Sequence, residues 1–175
     1  MFYESYYPKK ELEVISRELK KFSLRFLLYN NWIYKLEKNC FIGFYFVRKL
    51  LESKNKITDN IRHYKISVKS YKFIGKKTRW QPFGDEYDYD NPIEELLSIR
   101  DLTHQFVHSQ LFFGWKEGSG LKYILVASDK KIYEKIYQID IDDVIKIFKI
   151  FSENNVVKIT TTYNEKSGNF DVQCS

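Results

Sequence analysis

The sequence predicts a single α+β domain over residues 1–175, with an N-terminal helical hairpin and a third helix packed with a mainly antiparallel C-terminal β-sheet. Three observations predict this class. Apolar residues recur at helical spacing early in the chain, period-two patterns and glycine-containing turns dominate the second half, and no linker or repeat divides the chain. The chain has 175 residues, a usual size for one domain. Helices followed by strands are typical of α+β proteins.

Two amphipathic helices are expected first, from Lys10 to about Tyr29 and from about Lys38 to Ser53. Apolar residues occur at three- and four-residue steps in both segments, as on the buried face of a helix. In the first segment these residues are Leu12, Ile15, Leu19, Phe22 and Phe26, and in the second they are Phe41, Phe44, Val47 and Leu51. The short connection at Asn30 and Asn31 allows the two helices to pair.

A strand, a loop and a third helix are expected next. His63–Ile74 alternates with a period of two, which favours a strand. Residues 75–90 form a loop that ends in an acidic, tyrosine-containing run, and we expect this loop to be mobile. The third helix is expected to begin at Asn91 as N-cap, with Pro92 in its first turn, and to end near Ser109.

The remaining segments predict a hairpin, a further helix and three more strands. Leu111–Trp115 and Leu121–Ser128 flank a glycine-containing turn, as the two strands of a β-hairpin do. A strand near Lys135–Ile139 precedes a helix capped by Asp140 or Asp142. Two final strands are expected near Val156–Tyr163 and Phe170–Gln173.

Composition limits the class of protein more than it identifies a function. The net charge is +6 with a pI of about 9.1, and the lysines are scattered along the chain, so contact with nucleic acid is allowed but not required. The cysteines, Cys40 and Cys174, form no disulfide framework and no zinc set. No apolar run is long enough for a membrane span, and the N-terminus does not resemble a signal peptide. We therefore expect a cytoplasmic protein without a cofactor.

The third helix contains the residues that are best suited to chemistry. Arg100, Asp101, His104 and His108 fall on one arc of this helix, next to its apolar face. Histidine titrates near neutral pH, and arginine stabilises charge on a phosphoryl group. The same residues also suit ordinary structural contacts, such as a pair between Asp101 and His104. Arg48, on the second helix, is a candidate supporting residue if the two helices pack together.

A metal site is a weaker interpretation of the same segment. His104 and His108 have the i, i+4 spacing of half a zinc site, with Asp101 or a loop carboxylate as a further ligand. Gln105, however, stands where a HExxH motif has its glutamate, so no metal is predicted. The sequence also contains no glycine-rich phosphate loop, nucleophile elbow or kinase motif.

The acidic loop offers a second kind of site, for a protein partner. Asp85, Tyr87, Asp88 and Tyr89 combine charge with aromatic surface, as interface residues often do. A solvated loop is the simpler interpretation. Aromatic residues such as Trp80 and Trp115 are also able to stack on bases, although no RNA-binding signature surrounds them.

The third helix and the two helices before it resemble the HEPN superfamily. Its members carry an arginine and a histidine near a helix end and serve as metal-independent ribonucleases. Three residues separate Arg100 from His104 and seven separate it from His108, which differs from the family's spacing. Leu102–Ser109 is also similar to small bacterial HEPN-like proteins that share His108. The resemblance implies a homodimer in which an arginine and a histidine promote attack of an RNA 2′-hydroxyl, in defence or stress.

Two functions follow as the main hypotheses, beside a third possibility of plain nucleic-acid binding without cleavage. The first is a HEPN-like bacterial or mobile-element protein linked to RNA, with Arg100, His104 and His108 as catalytic residues and Arg48 and Asp101 in support. The second is a non-enzymatic regulator or inhibitor that binds a defence protein or nuclease through the acidic loop, exposed aromatics and a sheet edge.

Overall fold

The computed structural model describes residues 4–24, 31–77, 84–118, 120–166 and 168–175. It confirms the α+β class and the N-terminal helical hairpin. In chain order the elements are α1 (Tyr6–Leu24), α2 (Trp32–Glu52), α3 (Asp59–Arg62), β1 (Lys65–Lys72), β2 (Ile93–Ser98), α4 (Ile99–Val107), β3 (Ser109–Glu117), β4 (Gly120–Ser128), β5 (Lys135–Asp140), α5 (Ile141–Glu153), β6 (Ile159–Asn164) and β7 (Asn169–Cys174).

Five strands form one antiparallel sheet in the order β2-β1-β5-β4-β3. The helices α1, α2, α4 and α5 pack on one face of this sheet and share its main hydrophobic core. The largest side chains that are fully buried in this layer include Phe44, Phe106, Phe148 and Phe151. Phe44 contacts both Phe106 and Phe148, so α2 is joined to α4 and α5 through aromatic rings.

The first two helices form where the apolar periodicity predicts them, but each begins earlier than expected. α1 begins at Tyr6 rather than Lys10, and α2 begins at Trp32 rather than Lys38. The predicted continuation of the first helix over residues 25–29, which includes Phe26, lies outside the described residues. In α2 the buried residues recur at helical spacing, as expected for the core-facing side of an amphipathic helix.

The prediction of a long third helix from Asn91 is wrong in its first part, because residues 93–98 form β2. This strand pairs with β1, placing Glu94 opposite Lys69, and the carboxylate of Glu95 accepts hydrogen bonds from Lys135 Nζ at 2.6 and 2.7 Å. Asn91 caps no helix, and its side chain instead donates to the carboxylate of Asp88. Pairing across the sheet therefore overrides the local capping pattern.

Helix α4 begins at Ile99, seven residues after the predicted first position Pro92, and Ser98 provides its N-cap. The Ser98 hydroxyl accepts a hydrogen bond from the backbone N–H of Asp101 at 3.1 Å and donates one to its carboxylate at 2.6 Å. Asp101 also places a negative charge in the first turn, which favours the helix dipole. The helix follows β2 directly and leads directly into β3, and these strands are the two edges of the sheet.

The hairpin, the fifth strand and the last helix are confirmed as β3–β4, β5 and α5. The last two predicted strands are confirmed as the ribbon β6–β7, which pairs apart from the main sheet. A smaller cluster on the opposite face of the main sheet includes Tyr71, Tyr87 and Leu125. Within the described part of the chain, no helix is both long enough and apolar enough to cross a membrane.

Candidate functional site

The candidate site lies where the C-terminal half of α2 packs against α4. The rings of Phe44 and Phe106 stack with centroids 4.1 Å apart and planes at 17°, fixing the register between the two helices. This register places Arg48, one turn further along α2, beside the histidines of α4. A cleft of about 270 Å³ opens between the helices. Its lining residues are Arg48, Leu51, Glu52, Arg100, Thr103 and His104.

Arg48 connects the two helices at the cleft. Its Nη1 lies 3.1 Å from Nε2 of His108, and its Nε donates to the Glu52 carboxylate at 2.9 Å. A guanidinium can only donate hydrogen bonds, so the Nε2 of His108 accepts and its ring proton is on Nδ1 in this arrangement. Hydrogen bonds from Lys49 and Arg48 lower the pKa of Glu52, which keeps that carboxylate ionised and Arg48 oriented.

His104 lies next to His108, with ring centroids 4.7 Å apart. Burial lowers the pKa of His104, and the nearby charges of His108, Lys130 and Arg48 lower it further, while Asp129 opposes them. Its Nε2 atom is buried and has no hydrogen-bond partner among the described residues. A second ring proton would add a charge without a partner there, so His104 is neutral at neutral pH.

The rim of the cleft is positively charged. Arg100 is exposed and lines the cleft, and Lys130 is close enough to affect the pKa of His104. Neither side chain forms an ion pair with any residue in the described ranges. Arg48, which is paired with Glu52, adds a third cation, so positive charge predominates around the neutral imidazole of His104. This arrangement suits an anion such as a phosphodiester, held beside groups that accept and donate protons.

Most of the predicted residues of α4 meet at the cleft, whereas Asp101 does not. Arg100 and His104 line the cleft, and His108 reaches it through Arg48. Asp101 lies at the N-terminus of α4 and binds Ser98, so the predicted pair between Asp101 and His104 is replaced by a helix cap.

Sequence reasoning missed three residues that line the cleft, Leu51, Glu52 and Thr103. Leu51 was recognised as core, and Thr103 has no distinctive pattern around it. Glu52 lies four residues after Arg48, the spacing of an ion pair on a helix, and this signal was available in the sequence.

Only some of the residues predicted to bind a partner are exposed. Tyr87 is 2% exposed, and its hydroxyl donates to the backbone carbonyl of Ile132, so the structure places this residue in the core rather than at the surface. Asp85 and Tyr89 are exposed, and the Tyr89 hydroxyl donates to the Gly84 carbonyl at 2.7 Å. Asp88 is partly buried, and its carboxylate binds the Asn91 side chain.

The described part of the loop is anchored rather than free. Phe73 and Tyr87 form a β-bridge, and the Ile74 N–H donates to the Glu86 carbonyl at 3.0 Å. The expectation of a mobile loop therefore does not hold for residues 84–90. Trp80, proposed for base stacking, lies outside the described residues.

No group of three or more histidine, cysteine or acidic residues in the described ranges is placed to hold a metal ion. The i, i+4 histidine pair forms with His104 and His108, but Asp101 caps the helix instead of completing a ligand set.

Comparisons with known proteins add no assignment. No family model, curated protein or solved structure matches the chain significantly.

Proposed function

We propose that the protein is a metal-independent ribonuclease whose active site is the cleft between α2 and α4. The proposal depends on one observation: the rings of His104 and His108 have centroids 4.7 Å apart, beside a cleft of about 270 Å³ that Arg48, Arg100 and His104 line. Two imidazoles provide a base and an acid, and two guanidinium groups provide charge for a phosphodiester. RNA carries its own nucleophile, the 2′-hydroxyl, so the chemistry requires no further group.

In the proposed reaction the arginines bind the scissile phosphate and the histidines transfer protons. His104, which burial keeps neutral, takes the proton of the 2′-hydroxyl, and the resulting oxygen attacks phosphorus. The bond from phosphorus to the 5′-oxygen breaks, and protonated His108 gives its proton to that oxygen. In this step Arg48 binds the phosphate instead of His108, which frees the Nε2 atom of His108 to carry the transferred proton. The products are a 2′,3′-cyclic phosphate and a 5′-hydroxyl.

The experiment compares cleavage of a mixed, end-labelled RNA pool by the wild type and by a variant with His104→Ala and His108→Ala, in the presence of EDTA. Acid-base catalysis contributes about 10²- to 10⁴-fold, so the double variant should lose at least about 100-fold in rate. His63→Ala is the matched control, because His63 is exposed at the C-cap of α3 and does not line the cleft. Cleavage that persists in the double variant, or absent cleavage by the wild type, would refute the proposal.

The HEPN resemblance extends this proposal to a role in bacterial defence or stress and to a homodimer. Arg48 and both histidines meet within one chain, which supports a site that functions without a second copy. Mixing an Arg48→Ala, Arg100→Ala variant with the histidine double variant tests this point. Restored cleavage in the mixture would indicate an active site shared between protomers, as the family pattern implies.

A protein-binding regulator is the second candidate function, and the ribbon β6–β7 favours it. Ile159, Tyr163 and Phe170 lie on one face of this two-stranded ribbon and are all more than half exposed. A two-stranded ribbon without cover is marginally stable in water, so a partner would stabilise it. This function predicts that a protein encoded by a neighbouring gene binds the histidine double variant as well as the wild type. Binding of that protein should weaken when Asp85 and Asp88 are changed to lysine. Unchanged binding would count against the acidic loop as the contact surface.

A further inference from the structure

An aromatic stripe runs along the exposed face of α2 and ends at the cleft. At about 100° per residue, Tyr34, Phe41, Tyr45 and Arg48 fall within an arc of about 60°. The first three side chains are exposed although they are large and partly apolar. Over the fourteen residues from Tyr34 to Arg48, a helix rises roughly 21 Å. Solvent-exposed rings are thus aligned in a row that leads to the candidate catalytic residues.

The stripe continues into the cleft through direct contacts. The ammonium group of Lys49 lies 5.6 Å from the ring centroid of Tyr45 and binds the Glu52 carboxylate at 3.0 Å. Glu52 in turn binds Arg48, which binds His108. The last ring of the stripe and the two histidines therefore belong to one connected set of side chains.

The edge strand β3 runs alongside α2 and meets the stripe at its cleft end, through the contact of His108 with Arg48. At one end, His108 immediately precedes β3 and contacts Arg48. At the other end, the Lys116 ammonium group lies 4.2 Å from the ring centroid of Trp32, the first residue of α2. The distance from Trp32 to Arg48 along the helix and the distance from Ser109 to Lys116 along the strand are both roughly 24 Å. The helix and the strand thus run side by side, but Trp32 lies about 160° around α2 from Tyr34, so the stripe faces away from β3 at that end.

The charge along the stripe and around the cleft is mainly positive. The cations on or beside it are Lys38, Arg48, Lys49, Arg100 and Lys130. The carboxylates on the same face of α2 are Glu37 and Glu52, and Glu52 is already paired with Arg48 and Lys49. Asp129 adds one negative charge near His104 at the cleft. Rows of exposed rings with interleaved cations bind single strands, because bases stack on the rings while phosphates meet the positive charge.

We propose that the aromatic stripe of α2 binds single-stranded RNA, with bases stacked on Tyr34, Phe41 and Tyr45, and guides it into the cleft. This inference rests on the proposed ribonuclease function and names its substrate class. A duplex hides its bases within the stack, so it cannot use the rings in this way.

The test measures binding of a fluorescein-labelled, unstructured 2′-O-methyl RNA decamer by fluorescence anisotropy. This probe cannot be cleaved by attack of a 2′-hydroxyl, so binding is measured independently of catalysis. The variant carries Tyr34→Ala and Phe41→Ala, residues that are 61% and 44% exposed. Each lost base stack weakens binding at least about fivefold, so the double variant should bind roughly 30-fold more weakly or worse.

The ribbon provides a matched control with the same two residue types. Tyr163→Ala and Phe170→Ala remove side chains that are 55% and 58% exposed, and binding should stay within about twofold of the wild type. A second variant, Tyr34→Phe with Phe41→Tyr, keeps both stacking surfaces and should bind like the wild type. A labelled RNA duplex should bind more weakly than the single strand.

The outcomes separate this proposal from the proposed function. The proposed role of the stripe in binding single strands would be overturned if the stripe variant bound the decamer as well as the wild type, or if duplex and single strand bound equally. This holds even if histidine-dependent cleavage is found. Stripe-dependent binding without any cleavage of ordinary RNA would support the stripe and refute the ribonuclease. Binding that falls equally in the ribbon control would overturn the assignment to α2.

Discussion

Replacing Phe106 by alanine should destabilise the protein strongly, because the Phe106 ring packs α4 against α2. The side chain is almost fully buried, and its ring stacks on Phe44. A buried phenylalanine removes about 150–250 Å² from water. At about 25 cal/mol per Å² this area corresponds to about 4–6 kcal/mol, which is an upper bound because the unfolded chain is partly compact. Truncations of this kind in protein cores cost about 3–5 kcal/mol, so we expect a loss of about 4 kcal/mol.

The assay is equilibrium unfolding in urea, followed by circular dichroism, for the wild type, Phe106→Ala and Phe41→Ala. Phe41→Ala is the matched control, since the same atoms are removed from the exposed side of α2 and its cost should stay within about 0.5 kcal/mol. The slope of free energy against urea should be unchanged. For a domain of this size a loss of 4 kcal/mol lowers Tm by about 8–16 °C.

A cycle with Phe44→Ala isolates the contact between the two rings. We expect the effects of Phe44→Ala and Phe106→Ala to be non-additive, with a coupling of about 0.5–1.5 kcal/mol from the stacked pair. A loss below about 1.5 kcal/mol for Phe106→Ala, or additive effects of the two changes, would refute the packing of α4 on α2 described above.

Three further predictions concern His104, the start of α4 and the packing of α2. Burial lowers the pKa of His104, so as the pH falls the unfolded chain takes up a proton on this residue at a higher pH than the folded protein does. The free energy of unfolding should therefore decrease as the pH drops below about 6.5. In urea unfolding at about pH 7.5 and about pH 5.5, His104→Gln should lose the part of this decrease that is due to His104. Ser98→Ala should cost about 0.5–2 kcal/mol by the same assay and Asn91→Ala much less, whereas the reverse order would contradict the observed start of α4. Gly43→Ala should destabilise by about 1–3 kcal/mol, because the new Cβ would lie 2.3 Å from the Phe148 ring; a neutral effect on thermal unfolding would contradict this contact.

Much of the fold could be predicted because its elements are specified locally. The apolar spacing of α2 and the turn between β3 and β4 are properties of neighbouring residues, and both were predicted from the sequence. The strand β2 was predicted as helix because Asn91 and Pro92 form a good helix start. Its actual conformation depends on pairing with β1 and on the contact between Glu95 and Lys135, forty residues away in the chain. Pairing with residues that are distant in the chain leaves no periodic pattern in the sequence.

The site was predictable in its residues but not in its geometry. The spacing along α4 indicated that Arg100 and His104 share one side of a helix, and the structure places both at the cleft. The contact between Arg48 and His108 depends on how α2 and α4 are aligned, which the stack of Phe44 on Phe106 determines. The burial of Tyr87 also required tertiary structure, because an acidic, tyrosine-containing run has the composition of a surface loop.

The direct connection of α4 to β2 on one side and to β3 on the other has a mechanical consequence. These strands are the two outermost strands of the sheet, so the nine-residue helix connects both edges and limits the distance between them. The helix is also attached to β4, since the Gln105 side chain accepts a hydrogen bond from the Ser128 N–H at 3.1 Å. Separation of either edge strand from the sheet would therefore displace the segment that contains both histidines. Amide hydrogen exchange in α4 should therefore proceed with global unfolding rather than by local fraying.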